Sequence, residues 1–160
     1  MNVLRQLFLE HLAQTSQSPL MLEISKAEGV FLFGPNGEKY FDLISGISVS
    51  SLGHGNPMVV KAVQNQAADF MHLMVYGEYI QKPQVELVSS LVKFLPESLN
   101  SVYLVNSGSE AVEGALKLAK RYTGRSEIVA FKNAYHGSTH GALSVMGCEE
   151  QKRNYRQHHP

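Results

Sequence analysis

The sequence predicts an α/β fold in which an N-terminal helix and a β-hairpin precede the start of a mostly parallel, helix-covered sheet. Two patterns carry that prediction. Between residues 101 and 131, the β-prone run Ser101-Val102-Tyr103-Leu104-Val105-Asn106 passes through Ser107-Gly108-Ser109 into a helix-periodic stretch ending near Ala119. After Gly124 a second β-prone run follows, Ser126-Glu127-Ile128-Val129-Ala130-Phe131. Strand, tight turn, helix and strand make a β-α-β unit, with a right-handed crossover expected. Between residues 29 and 44, the short runs Gly29–Phe33 and Lys39–Ile44 flank Gly34-Pro35-Asn36-Gly37. Its Asn-Gly step tolerates the positive φ of a tight hairpin turn.

The remaining elements follow from local signals. Leu4, Leu7, Phe8 and Leu12 have the spacing of one helix face, which predicts an N-terminal helix docked on a body, and Glu10 interrupts any signal-like core. Asn56 is placed to cap a helix with Pro57 at its first position, and Val59, Val60, Ala62, Val63 and Ala67 predict its buried face. A further helix is predicted from Pro83 through Val92, stopping at Pro96, and another through Leu143 and Val145. Fourteen basic side chains balance fourteen acidic ones, so no overall field favours nucleic acid or an anionic membrane. No apolar run reaches the ~18 residues of a bilayer span, which makes a cytoplasmic location the default expectation. Cys148 is the only cysteine, which excludes an intramolecular disulfide and a cysteine-built zinc site.

Two turns carry candidate chemistry. Ser107 and Glu110 have the Ser-x-x-Glu spacing of a capping box, a purely structural role. Gly108 beside Ser109 adds a second reading, because a residue without a side chain lets an anion approach the helix-start amides while the hydroxyl supplies another donor. Neither G-x-x-x-x-G-K-[ST] nor G-x-G-x-x-G follows the strand, so nucleotide binding is not favoured. Tyr135-His136-Gly137 follows the next predicted strand, at the strand ends where ligands collect in open parallel sheets. Tyr135 there serves either to stack on a heteroaromatic ring or to fill the core. Histidines are scattered, and His136 and His140, four apart, straddle Gly137 without an H-E-x-x-H pattern, so no metal site is expected. A serine hydrolase is not favoured either, since Ser107-Gly108-Ser109 does not supply G-x-S-x-G.

In order and spacing, four motifs together resemble class III pyridoxal-phosphate-dependent aminotransferases over nearly the whole chain. They are Tyr40-Phe41-Asp42-Leu43 with Ser45-Gly46, Leu52-Gly53-His54 with Pro57, Asn106-Ser107-Gly108-Ser109-Glu110-Ala111 with Lys117-Leu118-Ala119, and Ala134-Tyr135-His136-Gly137. The resemblance implies fold type I, with residues 1–55 as the N-terminal segment of the small domain and 56–160 as the beginning of the large pyridoxal-phosphate-binding domain. It implies a homodimer that moves an amino group from an amino acid or amine to a 2-oxo acid through pyridoxal 5'-phosphate. By position it assigns Gly108 and Ser109 to the cofactor phosphate, Tyr135 to the pyridine ring, and His136 and Gly137 to the same loop. Ile47 falls where the family lines its substrate pocket. Ser138 stands where the acetylornithine, ornithine and 4-aminobutyrate branches usually have an arginine that pairs with a substrate carboxylate, which lowers those branches. The family's Schiff-base lysine and pyridinium aspartate are not identifiable, since Lys117, Lys120 and Lys132 fall outside the lysine motif. The chain alone is therefore expected to be catalytically incomplete, and the alternative is a non-catalytic phosphate-binding or interaction remnant of the same fold.

Overall fold

The computed structural model describes residues 3–74 and 77–153. Met1 and Asn2 of the expected first helix, and His158 and His159, lie outside the described residues. The chain forms two compact units, Met1–Tyr79 and Ile80–Pro160. No helix among the described residues is long and apolar enough to cross a membrane.

The first unit opens with α1 (Val3–His11), and Leu4, Arg5 and Phe8 line an open groove of about 240 Å³ with Met21–Ile24. Leu4 and Phe8 of the predicted stripe thus face the segment 21–24, whereas Leu7 and Leu12 are exposed. The sheet has three antiparallel strands in the order β1 (Lys26–Glu28), β2 (Phe31–Phe33) and β3 (Lys39–Phe41). The predicted hairpin is β2–β3, in register Phe31↔Phe41 and Phe33↔Lys39. Its rings meet at 4.6 Å between Phe31 and Phe41, and Lys39 Nζ sits 3.7 Å from the Phe31 ring centroid. β1 has no sequence signal, because Lys-Ala-Glu is a poor strand former; it forms by pairing with the open edge of β2.

The hairpin turn is longer than a two-residue Asn-Gly turn. Gly34 N–H donates to the Glu38 carbonyl at 2.9 Å and Gly37 N–H to the Gly34 carbonyl at 3.2 Å. Positive φ falls on Gly37 alone, at 88°. The Glu38 carboxylate then takes the Asn36 side-chain N–H at 3.1 Å and the Asn36 backbone N–H at 3.0 Å, and the side-chain bond first, then the backbone ones, hold its pKa below the usual range.

β3 stops at Phe41, short of the expected Ile44, because the Asp42 carboxylate diverts the chain. Its Oδ1 accepts the N–H groups of Ile44 at 3.1 Å and Ser45 at 2.8 Å. A single turn, α2 (Ser45–Ser48), follows, and it is left-handed throughout: φ is 51° at Ser45, 61° at Gly46, 63° at Ile47 and 63° at Ser48. For the three residues with a Cβ this conformation costs about 1–2 kcal/mol each. Next comes α3 (Pro57–Asp69), whose Asn56 side chain accepts from Met58 and Val59 N–H, with Pro57 first, as the sequence predicts. The expected buried face of α3 is not buried: Val59, Val60 and Val63 are exposed, and α3 packs against no other described element. Capping and proline signals are local, whereas burial needs a neighbouring surface.

In the second unit α4 (Lys82–Leu91) runs into a 3₁₀ turn, Val92–Phe94, and ends before Pro96 as expected. α5 (Gly108–Thr123) is closed by left-handed Gly124, φ 69°, whose N–H donates to the Lys120 carbonyl at 2.9 Å. α6 (His140–Ser144) and α7 (Glu149–Lys152) complete the unit. Its small core is Ala142 and Met146, where α6 packs on α5. The two strands expected at 101–106 and 126–131 do not form a ladder. Val129 is 98% exposed and Phe131 87%. A strand exists only through its hydrogen-bonded neighbours, and these two runs, separated by a crossover helix, are not paired with each other.

Candidate cofactor site

The site is built on the first turn of α5. Ser107 Oγ accepts the Glu110 N–H at 3.1 Å, and Glu110 Oε2 accepts the Asn106 N–H at 2.7 Å. This is the predicted capping box, with the carboxylate reaching one residue before the cap. The amides of Gly108 and Ser109 precede the helical ladder and have no carbonyl within it to donate to. Gly108 is exposed, and a Cβ added to it would meet nothing within 4 Å. Open amides at the positive end of a 16-residue helix are the groups that a candidate anion cradle needs.

The second loop reaches that cradle. Gly137 is buried with φ 127°, a conformation essentially restricted to glycine. A Cβ built on it would collide with Ser109 Oγ, and would lie 2.8 Å from Ser109 Cβ and 3.0 Å from its Cα. Gly137 therefore seats the loop directly on Ser109. Tyr135 and Ser138 close it, with Oη and Oγ 3.1 Å apart. Tyr135 is exposed and His136 half-buried, so core filling does not describe the tyrosine.

Both flanks of the loop are braced. On the N-terminal side, Gly147 N–H donates to the Ala134 carbonyl at 3.0 Å. A Cβ on Gly147 would strike the Asn133 amide nitrogen and lie 2.7 Å from Asn133 Cα. On the C-terminal side, Glu113 Oε1 accepts the N–H groups of Gly141 at 2.7 Å and Ala142 at 3.1 Å, capping α6. The nearby Thr139 hydroxyl, opposed by burial and then aided by the Ala142 and Gly141 amides, holds the Glu113 carboxyl below its usual range. Glu113 is a residue that the sequence reading passed over. Its signal is spacing: Ser109 and Glu113 are four apart on one face of α5, and the glycines they meet, Gly137 and Gly141, are also four apart.

The structure thus brings Gly108, Ser109, Tyr135, His136 and Ser138 together on one helix start and one loop. Ile47 belongs to the other unit, on the left-handed turn, and is 86% exposed. That turn has its own anchor. Asp42 Oδ2 lies 2.6 Å from His54 Nε2, and His54 pairs through its backbone with Gly29, N–H to carbonyl at 2.8 Å and 2.9 Å. The His54 hydrogen bond, followed by the Ser45 N–H, holds the Asp42 carboxyl below its usual range.

A profile of the family described as aminotransferase class-III matches residues 12–160. The chain belongs to the class-III aminotransferases. It is 40% identical over 135 residues to the acetylornithine aminotransferase of Methanopyrus kandleri, covering 84% of this chain and 34% of that protein. It is 40% identical over 124 residues to the LysW-aminoadipate semialdehyde/glutamate semialdehyde transaminase of Sulfolobus acidocaldarius, covering 78% and 32%. Among solved structures, the adenosylmethionine-8-amino-7-oxononanoate aminotransferase of Methanocaldococcus jannaschii aligns with a TM-score of 0.89 at 31% identity, covering 96% of this chain and 38% of that one. The taurine:2-oxoglutarate aminotransferase of Bifidobacterium kashiwanohense, solved with PLP and glutamate, aligns at 0.79 and 31%, covering 94% and 34%. The fold is thus a part of fold type I, and this class-III chain spans about a third of the length of the relatives it matches.

Proposed function

We propose that the chain is the cofactor-cradling part of an aminotransferase that passes an amino group from an amino acid or amine to a 2-oxo acid by way of pyridoxal 5'-phosphate. The observation that carries this reading is the close approach of Gly137 to Ser109, which seats an exposed tyrosine loop beside an open helix start. The residues fit the group. A phosphate dianion suits the Gly108 and Ser109 amides and the Ser109 hydroxyl, which would hold it by charge-assisted hydrogen bonds. Tyr135 would lie against the pyridine ring, with His136 backing the same loop. When bound, the cofactor supplies an electron sink for the substrate's amine carbon. The chain's own residues bind its anionic end, orient its ring and fix the loop between them. Ser138 and Ile47 are assigned to the substrate side. A serine there offers a hydroxyl in place of a bidentate guanidinium, which fits a donor without a carboxylate at that point. The same reading takes residues 1–55 as small-domain sequence and 56–160 as the start of the large domain, in a cytoplasmic homodimer.

Titration of the chain with pyridoxal phosphate, followed by absorbance and fluorescence, tests the site without turnover. Ser109→Ala is expected to weaken binding about tenfold or more, the worth of a hydrogen bond to a charged group. Unchanged affinity would remove Ser109 from the site. Tyr135→Ala is expected to weaken binding of pyridoxal phosphate while leaving inorganic phosphate binding as it was, because only the former has a ring to stack. Equal losses for both ligands would count against ring stacking.

A further inference from the structure

We propose that Asp42 and His54 are positioning residues that hold the left-handed turn Ser45–Ser48 and so fix where Ile47 stands as a specificity-determining side chain. The proposal rests on the assignment of Ile47 to the substrate side, and the argument for the latch is independent of it.

Four successive residues with φ between 51° and 63°, three of them bearing a Cβ, do not persist through local preference. Something must over-determine them, and one carboxylate is placed to do so. Asp42 Oδ1 takes the two N–H groups that lead into the turn, those of Ile44 and Ser45, while the Ser45 hydroxyl donates to the Asp42 carbonyl at 3.3 Å. The other oxygen, Oδ2, is held by His54 Nε2, so the carboxylate cannot rotate away from the amides. The Asp42 side chain is only 9% exposed and that of His54 24%. His54 is in turn fixed to the sheet edge through both of its backbone bonds to Gly29, beside Gly53, whose φ of 77° and lack of a Cβ let the two backbones approach. The chain of contacts runs from Gly29 through His54 and Asp42 to Ser45. Within the turn, Val49 and Ser50 N–H both donate to the Ser45 carbonyl, at 2.8 Å and 2.9 Å, so orienting Ser45 orients the whole turn. Ile47 N–H donates to the Ile44 carbonyl at 2.9 Å, a bond internal to the same turn, and its side chain is exposed, so its position follows that of the turn as a whole.

Backbone NMR of the isotope-labelled chain reads the latch directly, through the couplings and carbon shifts that distinguish positive φ at Ser45, Ile47 and Ser48. Asp42→Ala is expected to abolish the left-handed signature at all three while the β2–β3 cross-strand contacts remain. Asp42→Asn, which keeps a carbonyl oxygen able to accept from Ile44 and Ser45, is expected to retain it. A left-handed turn that survives Asp42→Ala overturns the proposal, as does loss of the hairpin together with the turn. In the transaminase that carries this chain, Ile47→Ala and Asp42→Ala are both expected to raise the amino-donor KM about tenfold with kcat little changed, and Asp42→Asn to restore it. If Ile47→Ala leaves the KM unaltered while Asp42→Ala melts the turn, the substrate assignment fails and the latch stands.

Discussion

Gly137→Ala is expected to cost both stability and cofactor binding. Two costs coincide at that position. The new Cβ would occupy the space of Ser109, 2.8 Å from its Cβ, and a φ of 127° is unfavourable for any residue with a side chain. Overpacking and backbone strain together are worth about 2–5 kcal/mol. Relief requires the 135–138 loop to lift from the start of α5, which separates Tyr135 from the Gly108–Ser109 cradle. Gly108→Ala is the contrasting variant. Its Cβ meets nothing within 4 Å at the first position of the helix, so the fold should lose nothing, while a methyl group now stands where the anion is proposed to approach. Urea unfolding and pyridoxal phosphate titration of both variants separate the effects: Gly137→Ala should lose on both measures, Gly108→Ala on binding alone. A Gly137→Ala chain as stable as the parent would show that the loop does not rest on Ser109.

Removing the Glu113 carboxylate is expected to have the next largest effect. It accepts two backbone N–H groups at the start of α6, and α6 is too short at five residues to hold itself together. Glu113→Ala should destabilise the second unit by about 2 kcal/mol, the scale of charged hydrogen bonds left unmade, and loosen the loop on which Tyr135 sits. The pH dependence has a definite sign. Because the folded carboxyl is held below its usual range, the unfolded chain takes up the proton first as pH falls. The contribution of Glu113 is complete above the ordinary carboxylate range and is lost as pH drops through that range to the depressed folded value. Glu113→Gln, which cannot ionise, should remove that share of the acid sensitivity, so parent and variant should differ in unfolding midpoint at neutral pH and converge in acid. A constant difference down to strongly acidic pH would mean that the charge of Glu113 is not what caps α6.

How much of this was readable from residues alone differs by feature. The helix boundaries at Asn56-Pro57, Ser107 and Gly124 were legible because each is set by a side chain or a missing Cβ acting within four residues. The hairpin was legible for the same reason, although Gly37 alone took the positive φ. β1 was not, because Lys26–Glu28 is a strand only by virtue of its neighbour. The runs 101–106 and 126–131 failed in the opposite sense: their composition favours strands, but pairing is a property of two segments and neither supplies the other. At the site, Gly108, Ser109 and Tyr135 could be singled out by residue type and by likeness to the family. Their contact could not, since nothing in the sequence says that residue 137 touches residue 109. Glu113 was hidden behind Glu110, which satisfies the familiar capping pattern three residues earlier. Asp42 and His54 were visible only as parts of family motifs; the left-handed turn they flank, with three of its four residues bearing a Cβ, has no signature in residue preference.

The meeting of Gly147 with Asn133 has a consequence for how the tyrosine loop responds to heat. Contacts between side chains hold a loop through rotamers, and rotamer freedom competes harder as temperature rises. Here main chain rests on main chain, with an added Cβ excluded and a backbone hydrogen bond from Gly147 to Ala134 alongside. The atoms in contact belong to the backbone, so no χ angle is fixed by the contact. The height of Tyr135 above the helix start is therefore set by a contact that fixes no side-chain rotamer, and its alignment should hold until the fold around it gives way.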